Sequence, residues 1–179
     1  MTTAYTLPPE DVLRAREKLV LDHFHDEVQQ AWDDVLETFP HPHYELIASM
    51  TVHDGDGEVR GYYHDTRVAF PDQDHEIIAL RHTADAVVVE FWLTGTHLGP
   101  LGKIPATGSR HRTRMTAYFV FDEHERLVTE RVYFDQLTVL KQLLGGLDRK
   151  SPKDLITLAR AVFGALGAAG GEPDPRLLG

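Results

Sequence analysis

The first candidate for chemistry is Asp135, an acidic residue at the end of a predicted strand, within Phe134–Leu137 (FDQL). Side chains alternate along a strand, so Asp135 shares one face with Tyr133 and Arg131. In an apolar pocket the pKa of this carboxylate would rise, and it could act as a general base or acid. The alternative is a helix N-cap, a position that favours Asp, because a predicted helix follows directly. The sequence leaves both interpretations open.

A second group of polar and aromatic residues lies in Phe91–Gly99 (FWLTGTHLG), where a strand runs into a loop. His97 could assist proton transfer there, although a lone histidine after a strand is more often a hydrogen-bonded loop residue. Tyr118, on a later strand, could donate to the oxygen of an enolate, or could simply pack with its hydroxyl satisfied. We expect Asp135, Tyr133 and His97 to be catalytic, and Tyr118, Trp92, Arg131, Tyr63 and Phe70 to bind substrate.

The histidine pairs do not predict a metal site. His23 and His25 lie on a predicted helix, where a spacing of two residues turns their side chains about 200° apart. His41 and His43 flank a proline in a loop and have no third ligand near them in the sequence. The chain has no cysteine, which excludes disulfides, thiolate catalysis and thiolate-bound metals. We therefore expect neither a metal nor a cofactor.

Composition indicates one acidic domain. The chain has 179 residues and a formal net charge of −10, which disfavours binding to a phosphate backbone. The one basic cluster, Arg110, Arg112 and Arg114, lies on one face of a predicted strand, either solvated or paired with the acidic first half. We find no secretory signal and no apolar stretch long enough to span a membrane, and we expect a soluble, cytoplasmic protein.

Hydrophobic periodicity predicts helices first and strands later, which is typical of an α+β fold. Residues Tyr44–Val52 fit either a short helix or a strand. The predicted elements are a helical pattern over 10–39 with a break near Asp22–Asp26, a helix over Gly61–Phe70, strands over His75–Arg81, Ala86–Leu93, Arg110–Phe121 and Leu127–Asp135, a helix over Gln136–Leu144, and a last helix from Ser151. We expect a flexible arm over 1–9, a single domain over 10–146, an additional helix within 147–169 and a mobile tail over 170–179.

Several motifs in order resemble one known family. They are Ala69-Phe70-Pro71-Asp72, Gly95-Thr96-His97-x-Gly99, Pro105-Ala106-Thr107-Gly108, the strand that ends at Asp135, and Leu143-Leu144. Together they are similar to the SnoaL-like polyketide cyclases, also called ester-cyclase-like, of the nuclear transport factor 2-like superfamily. The resemblance covers roughly Tyr44 to Leu144, so the helix after Ser151 lies beyond it.

The resemblance implies a cone-shaped, curved antiparallel sheet whose concave face holds the N-terminal helices and an apolar cavity. Founding members close a ring of an aromatic polyketide by intramolecular aldol condensation, without metal or cofactor. The resemblance assigns the acid/base role to Asp135 and places Tyr133 in the pocket. The chain departs from the family where members often carry Gly-Lys-Ile and a strand Glu, since it has Glu125-Arg126-Leu127 and Thr129.

Three functions are compatible with these observations. The first is a cofactor-independent cyclase or isomerase acting on a hydrophobic carbonyl compound, and the second is a non-catalytic protein that binds a small molecule or forms an oligomer. The third is epoxide hydrolysis, which requires Glu90 to face the cavity together with Asp135, and Arg131 to assist. In each case we expect a hydrophobic small-molecule ligand and a homodimer or higher homo-oligomer, with neither nucleic acid nor membrane as a partner.

Overall fold

The computed structural model describes residues 6–168 and 172–177 of the chain. Helices and strands alternate in the first half, and strands dominate the middle. In chain order the elements are α1 (Glu10–Gln29), α2 (Trp32–Glu37), β1 (His43–Leu46), β2 (Thr51–Asp54), α3 (Asp56–Ala69), β3 (Asp74–His82), β4 (Ala86–Thr96), β5 (Arg110–Phe121), β6 (Leu127–Phe134), α4 (Gln136–Gly145), α5 (Pro152–Ala168) and a short 3-10 helix (Pro175–Leu177). None of the helices in this described part has the length and hydropathy needed to cross a membrane.

The six strands form one curved, open sheet in the order β2-β1-β6-β5-β4-β3. The four predicted strands β3, β4, β5 and β6 are confirmed, and β3–β4 and β5–β6 pair as antiparallel hairpins. Residues Tyr44–Val52, for which the sequence left two interpretations, contribute the antiparallel pair β1–β2. The expected antiparallel sheet needs one correction, because β1 runs parallel to β6. This parallel pairing places β1, the first strand in the chain, beside β6, the last.

The long N-terminal helical pattern is broken later than predicted. Gln30 adopts a left-handed conformation with φ of 58°, which ends α1. The N–H of Ala31 bonds to the carbonyl of Asp26 at 2.9 Å, and that of Gln30 bonds to the carbonyl of Glu27 at 3.1 Å. This is the hydrogen-bond pattern of a Schellman cap. The predicted break near Asp22–Asp26 was therefore wrong, and α1 continues through the centre of the concave face.

The concave face of the sheet packs on α1, α2 and α3 and forms the main core. Along β5 the buried residues Met115, Ala117 and Phe119 face this core, whereas Tyr118 is exposed on the opposite face. Residues of β5 and β6 that pair with each other have side chains on the same face of the sheet. The alternation along β5 therefore also decides which side chains of β6 point inward.

The outer face of the sheet carries ion pairs instead of helices. Arg112 contacts Glu76 at 2.6 Å and Arg114 contacts Glu90 at 2.5 Å. Two members of the basic cluster of β5, Arg112 and Arg114, are thus paired with acidic residues from the first half of the chain, one of the two outcomes considered from the sequence.

Two segments complete the sheet at its margins. Past the end of β6, the side chain of Gln142 on α4 accepts a hydrogen bond from the backbone N–H of Arg112 and donates one to its carbonyl, at 2.7 and 3.0 Å. Gln142 thereby satisfies both backbone hydrogen-bonding groups of Arg112, a β5 residue that lies beyond the end of β6. Residues 172–177 lie along the edge strand β2, where the N–H of Asp174 bonds to the carbonyl of Met50. The remainder of the predicted tail, and residues 1–5 of the predicted arm, lie outside the described residues.

Candidate active site

The concave interior of the cone contains a cluster of five buried polar residues, none more than 8% exposed. The cluster consists of His23 and Glu27 from α1, Tyr44 from β1, Tyr63 from α3 and Glu130 from β6. A spacing of four residues places His23 and Glu27 on one face of α1. The parallel pairing of β1 with β6 sets Tyr44 directly beside Glu130. Of these five residues, the sequence analysis selected only Tyr63.

One nitrogen of His23 must carry a proton. Nδ1 of His23 lies 3.1 Å from the hydroxyl of Thr38. That hydroxyl donates its only proton to the carbonyl of Val35 at 2.6 Å, so it can only accept from the histidine. Nδ1 of His23 is therefore the donor in this contact.

The other nitrogen of His23 is a donor as well. The hydroxyl of Tyr63 donates to Oε1 of Glu27 at 2.6 Å, so its oxygen accepts from the hydroxyl of Tyr44, which it contacts. The oxygen of Tyr44 in turn accepts from Nε2 of His23 at 2.9 Å. The hydrogen bonds therefore run in one direction, from His23 through both tyrosines to Glu27. With both ring nitrogens protonated, His23 is an imidazolium.

The local electrostatics agree with this assignment. Burial alone would lower the pKa of His23, but the nearby carboxylates of Glu130 and Glu27 outweigh burial and raise the pKa to about 9. Glu27 is held ionised: burial opposes ionisation, yet contact with His23 lowers the pKa of this carboxyl below its ordinary value. Burial also raises the pKa of both tyrosines well above 10, so their hydroxyls keep their protons.

Glu130 has surroundings that differ from those of Glu27. Its Oε2 lies 3.3 Å from Nε2 of His23, but this buried oxygen forms no hydrogen bond to any part of the chain that the structure describes. Burial raises the pKa of Glu130 above its ordinary value, whereas the pKa of Glu27 is lowered. Two carboxyls whose pKa values are pushed apart in this way are suited to the proton-transfer and charge-holding roles of an acid/base site.

A small cavity lies beside Glu130. It measures about 40 Å³ and has both polar and apolar walls, the latter including Phe24, Phe91, Met115 and Val132. This space holds about two or three water molecules, at roughly 10–15 Å³ for each. Pockets for drug-sized ligands occupy about 300–1,000 Å³. The space beside Glu130 is therefore much smaller than a pocket for a drug-sized ligand.

The same cluster has the donor types of a metal site. Ligand atoms of His23, Glu27 and Glu130 all lie within 4.8 Å of one another. Both nitrogens of His23 donate hydrogen bonds, however, so metal binding here would have to displace a proton from the ring.

Comparison with known proteins identifies the family of this chain. The model of the SnoaL-like polyketide cyclase family matches residues 19–143, a range that includes all five cluster residues. The chain belongs to the SnoaL-like polyketide cyclase family. No curated protein matches the sequence.

Solved structures share the fold of this SnoaL-like protein. A candidate SnoaL-like polyketide cyclase from Jannaschia sp. CCS1 has 20% identity and a TM-score of 0.68, with 77% of this chain and 97% of that chain covered. AclR, a candidate hydroxylase from Streptomyces galilaeus, has 18% identity and a TM-score of 0.62, covering 75% and 98%. IdmH, a candidate polyketide cyclase from Streptomyces antibioticus, has 20% identity and a TM-score of 0.61, covering 72% and 97%.

In this SnoaL-like protein Asp135 does not lie in an apolar pocket. Its carboxylate is exposed and accepts hydrogen bonds from the backbone N–H of Thr138 at 3.1 Å and from its hydroxyl at 2.6 Å. Asp135 is the N-cap of α4, and these hydrogen bonds lower its pKa. Of the two interpretations offered by the sequence, the structure shows the cap.

The other residues predicted around Asp135 lie on the outer face of the sheet. Tyr133 and Tyr118 are 42% and 37% exposed and contact each other edge to face. Arg131 pairs with Glu45, and the ring of Trp92 lies beneath Arg112 and Arg114. The reason is strand alternation: Glu130 points into the cone, so its odd-numbered neighbours on β6 point out.

The remaining residues that the sequence analysis proposed for the site lie in three separate parts of the structure. Tyr63 belongs to the buried cluster. His97 and Phe70 are buried together elsewhere, with Nδ1 of His97 accepting from the backbone of Thr107 at 3.3 Å. Glu90 faces outward and pairs with Arg114, so the arrangement required for epoxide hydrolysis, with Glu90 and Asp135 around one cavity, is not formed.

Proposed function

We propose that this SnoaL-like protein catalyses cofactor-independent acid/base chemistry, intramolecular aldol cyclisation or isomerisation, on a hydrophobic carbonyl compound, with Glu130 as the proton-transfer residue. The observation that carries the proposal is Oε2 of Glu130, which is buried in the cone 3.3 Å from the His23 imidazolium and has no hydrogen bond among the described residues. A carboxylate with a raised pKa accepts a proton from carbon more readily than a solvated one.

The mechanism uses residues of the cluster in separate roles. Ionised Glu130 removes a proton from the carbon beside a carbonyl, and the negative charge that develops on the carbonyl oxygen is stabilised by the His23 imidazolium. In a cyclisation the enolate carbon attacks a second carbonyl of the same molecule. Glu130 then returns its proton to the new alkoxide, so no co-reactant is consumed. Glu27 keeps His23 charged throughout.

The environment of the cluster supports this chemistry. Apolar side chains form part of the wall beside Glu130, and electrostatic interactions in this buried site are stronger than in solution. The imidazolium is fixed at Nδ1 by Thr38 before any substrate enters, so little reorganisation accompanies the reaction.

The test is deuterium exchange at carbon. The protein is incubated in D₂O with a panel of cyclic ketones and poly-β-carbonyl compounds, and loss of the C–H signal beside the carbonyl is followed by NMR. Glu130→Gln should slow exchange by about 10²–10⁴-fold, the usual contribution of a positioned acid or base. Asp135→Asn is the matched control, since it changes an exposed carboxylate outside the cone, and it should exchange at the wild-type rate. Equal exchange in wild type and Glu130→Gln contradicts the proposal.

A non-catalytic role is the alternative, and the small size of the cavity favours it. A protein that binds a small apolar ligand by widening this space would bind members of the same panel without exchanging their protons. Saturable binding by titration calorimetry, together with no exchange above the rate in buffer, would establish this second function.

A further inference from the structure

His75 connects the buried cluster to the outside of the cone. It lies at the start of β3, and its side chain is only 5% exposed. The residue lines the inner cavity together with Glu27 and Glu130, and it also lines an outer groove of about 510 Å³ together with Arg110. Of the residues that the structure describes around these two spaces, His75 alone lines both.

The two ring nitrogens of His75 have different surroundings. Nε2 lies 3.4 Å from Oε2 of Glu27, the carboxylate oxygen that the tyrosine chain does not use. Nδ1 is buried and has no hydrogen-bond partner in the described part of the chain. Phe24 and Phe91 hold the ring edge to face, at centroid distances of 5.0 and 5.4 Å. A fixed imidazole with one nitrogen on the cluster and one unsatisfied has the geometry of a proton carrier.

Burial favours the neutral form of His75. Burial lowers its pKa below 6.5, and Glu27 on α1 and Asp74 on β3 oppose this effect, whereas Arg67 on α3 and the His23 imidazolium add to it. A neutral imidazole carries one ring proton and one lone pair, which is the state that a relay requires.

We propose that His75 is the proton relay between the buried cluster and solvent in the outer groove. In the inward direction, Nδ1 takes a proton from water while Nε2 gives its proton to Oε2 of Glu27. In the outward direction, Nε2 takes the proton back and Nδ1 releases one to water. Each passage moves one proton and consumes nothing else. The inference deepens the proposed function, on which it rests, by assigning the route along which Glu130 and His23 exchange protons with solvent.

The test follows ring protons and needs no substrate. In ¹⁵N-labelled protein the His23 ring N–H signals are assigned with a His23→Gln variant, and their exchange with D₂O is timed by NMR. His75→Phe keeps the ring volume but removes both nitrogens. It should slow exchange by about a hundredfold, the lower end of what a positioned proton carrier contributes. Exchange that is unchanged or faster in His75→Phe overturns the relay.

Two further measurements separate a relay from a purely structural role. His82→Phe is the matched control: His82 lies on the same strand and has an unpartnered Nδ1 among the described residues, but it contacts Glu17 rather than the cluster. Its exchange should match wild type, and slowing equal to that of His75→Phe overturns the relay. In His75→Ala, added imidazole should restore exchange, and no effect of imidazole counts against the proposal. Because these rates are measured without substrate, failure here is distinguishable from failure of the Glu130 deuterium test.

Discussion

The hydroxyl of Tyr63 donates a hydrogen bond to Oε1 of Glu27 at 2.6 Å, and this contact sets the direction of every other hydrogen bond in the cluster. Because the hydroxyl of Tyr63 donates its only proton to a carboxylate, its oxygen must accept a hydrogen bond from Tyr44. The oxygen of Tyr44 must in turn accept one from His23. The proton on Nε2 of His23 is therefore a consequence of where α3 places one phenol, while Thr38 fixes the proton on Nδ1. Removing that phenol should disturb groups that it does not touch.

The first prediction concerns Tyr63→Phe. The substitution leaves buried, ionised Glu27 without one of its donors, and an unsatisfied charged group costs about 3 kcal/mol or somewhat more. We expect urea unfolding to show a loss of about that size. Tyr118→Phe, which removes an exposed phenol from the outer face, should stay within about 0.5 kcal/mol of wild type. Equal effects of the two substitutions would mean that the hydrogen-bond chain contributes nothing to stability.

The second prediction is a loss of stability at alkaline pH. The pKa of His23 is raised from 6.5 in the unfolded chain to about 9 in the folded protein. A raised pKa means that the folded state binds this proton more tightly. The resulting stability is fully present below pH 6.5 and disappears as the pH rises through 9. At about 1.4 kcal/mol for each pKa unit, the loss is up to about 3 kcal/mol.

Urea unfolding at pH 6, 8 and 10 measures this loss. His23→Phe should remove the dependence between pH 6.5 and 9, while His124→Gln, a change at an exposed histidine, should retain it. A wild-type stability that does not change over this range would show that His23 is not an imidazolium in the folded protein.

Much of the fold could be predicted because its signals are local. The strand over Arg110–Phe121 has the predicted bounds, since alternating apolar residues and a turn at each end are visible in the sequence. The end of α1 was not visible, because the left-handed position is occupied by Gln30 rather than by glycine. The parallel pairing of β1 with β6 joins residues far apart in the chain, which periodicity cannot reveal.

The site was harder to predict, because it depends on parity and on contacts between distant elements. Both faces of β6 contain polar and apolar residues. Alternation alone therefore could not decide whether the face with Glu130 or the face with Asp135 points into the cone. A local signal for the cluster did exist: His23 and Glu27 are four residues apart in the apolar stripe of α1. The sequence analysis compared His23 with His25 and did not consider Glu27, whose carboxylate is four residues further on and lies on the same face of the helix.

The third prediction separates Asp135 from catalysis. Because its carboxylate caps α4 through Thr138, Asp135→Ala should destabilise the protein by about 1 kcal/mol. Asp135→Ser, which keeps a capping oxygen, should recover most of that loss. Deuterium exchange at carbon should proceed at the wild-type rate in both variants. Loss of exchange in a folded Asp135→Ser protein would return Asp135 to the active site.

The last prediction concerns Gln142, whose side chain takes the place of a strand beside β5. Its amide bonds to both backbone groups of Arg112, so Gln142→Ala removes two hydrogen bonds at once. These bonds are near the surface, where water replaces them in part, and we expect a loss of about 1 kcal/mol. Backbone hydrogen exchange at Arg112 should accelerate while that at Phe119, in the core of the same strand, stays slow. Lys141→Ala is the control, since it changes the adjacent exposed residue of the same helix, and it should leave exchange at Arg112 unchanged. Equal exchange at Arg112 in wild type and Gln142→Ala would mean that α4 does not complete this edge of the sheet in solution.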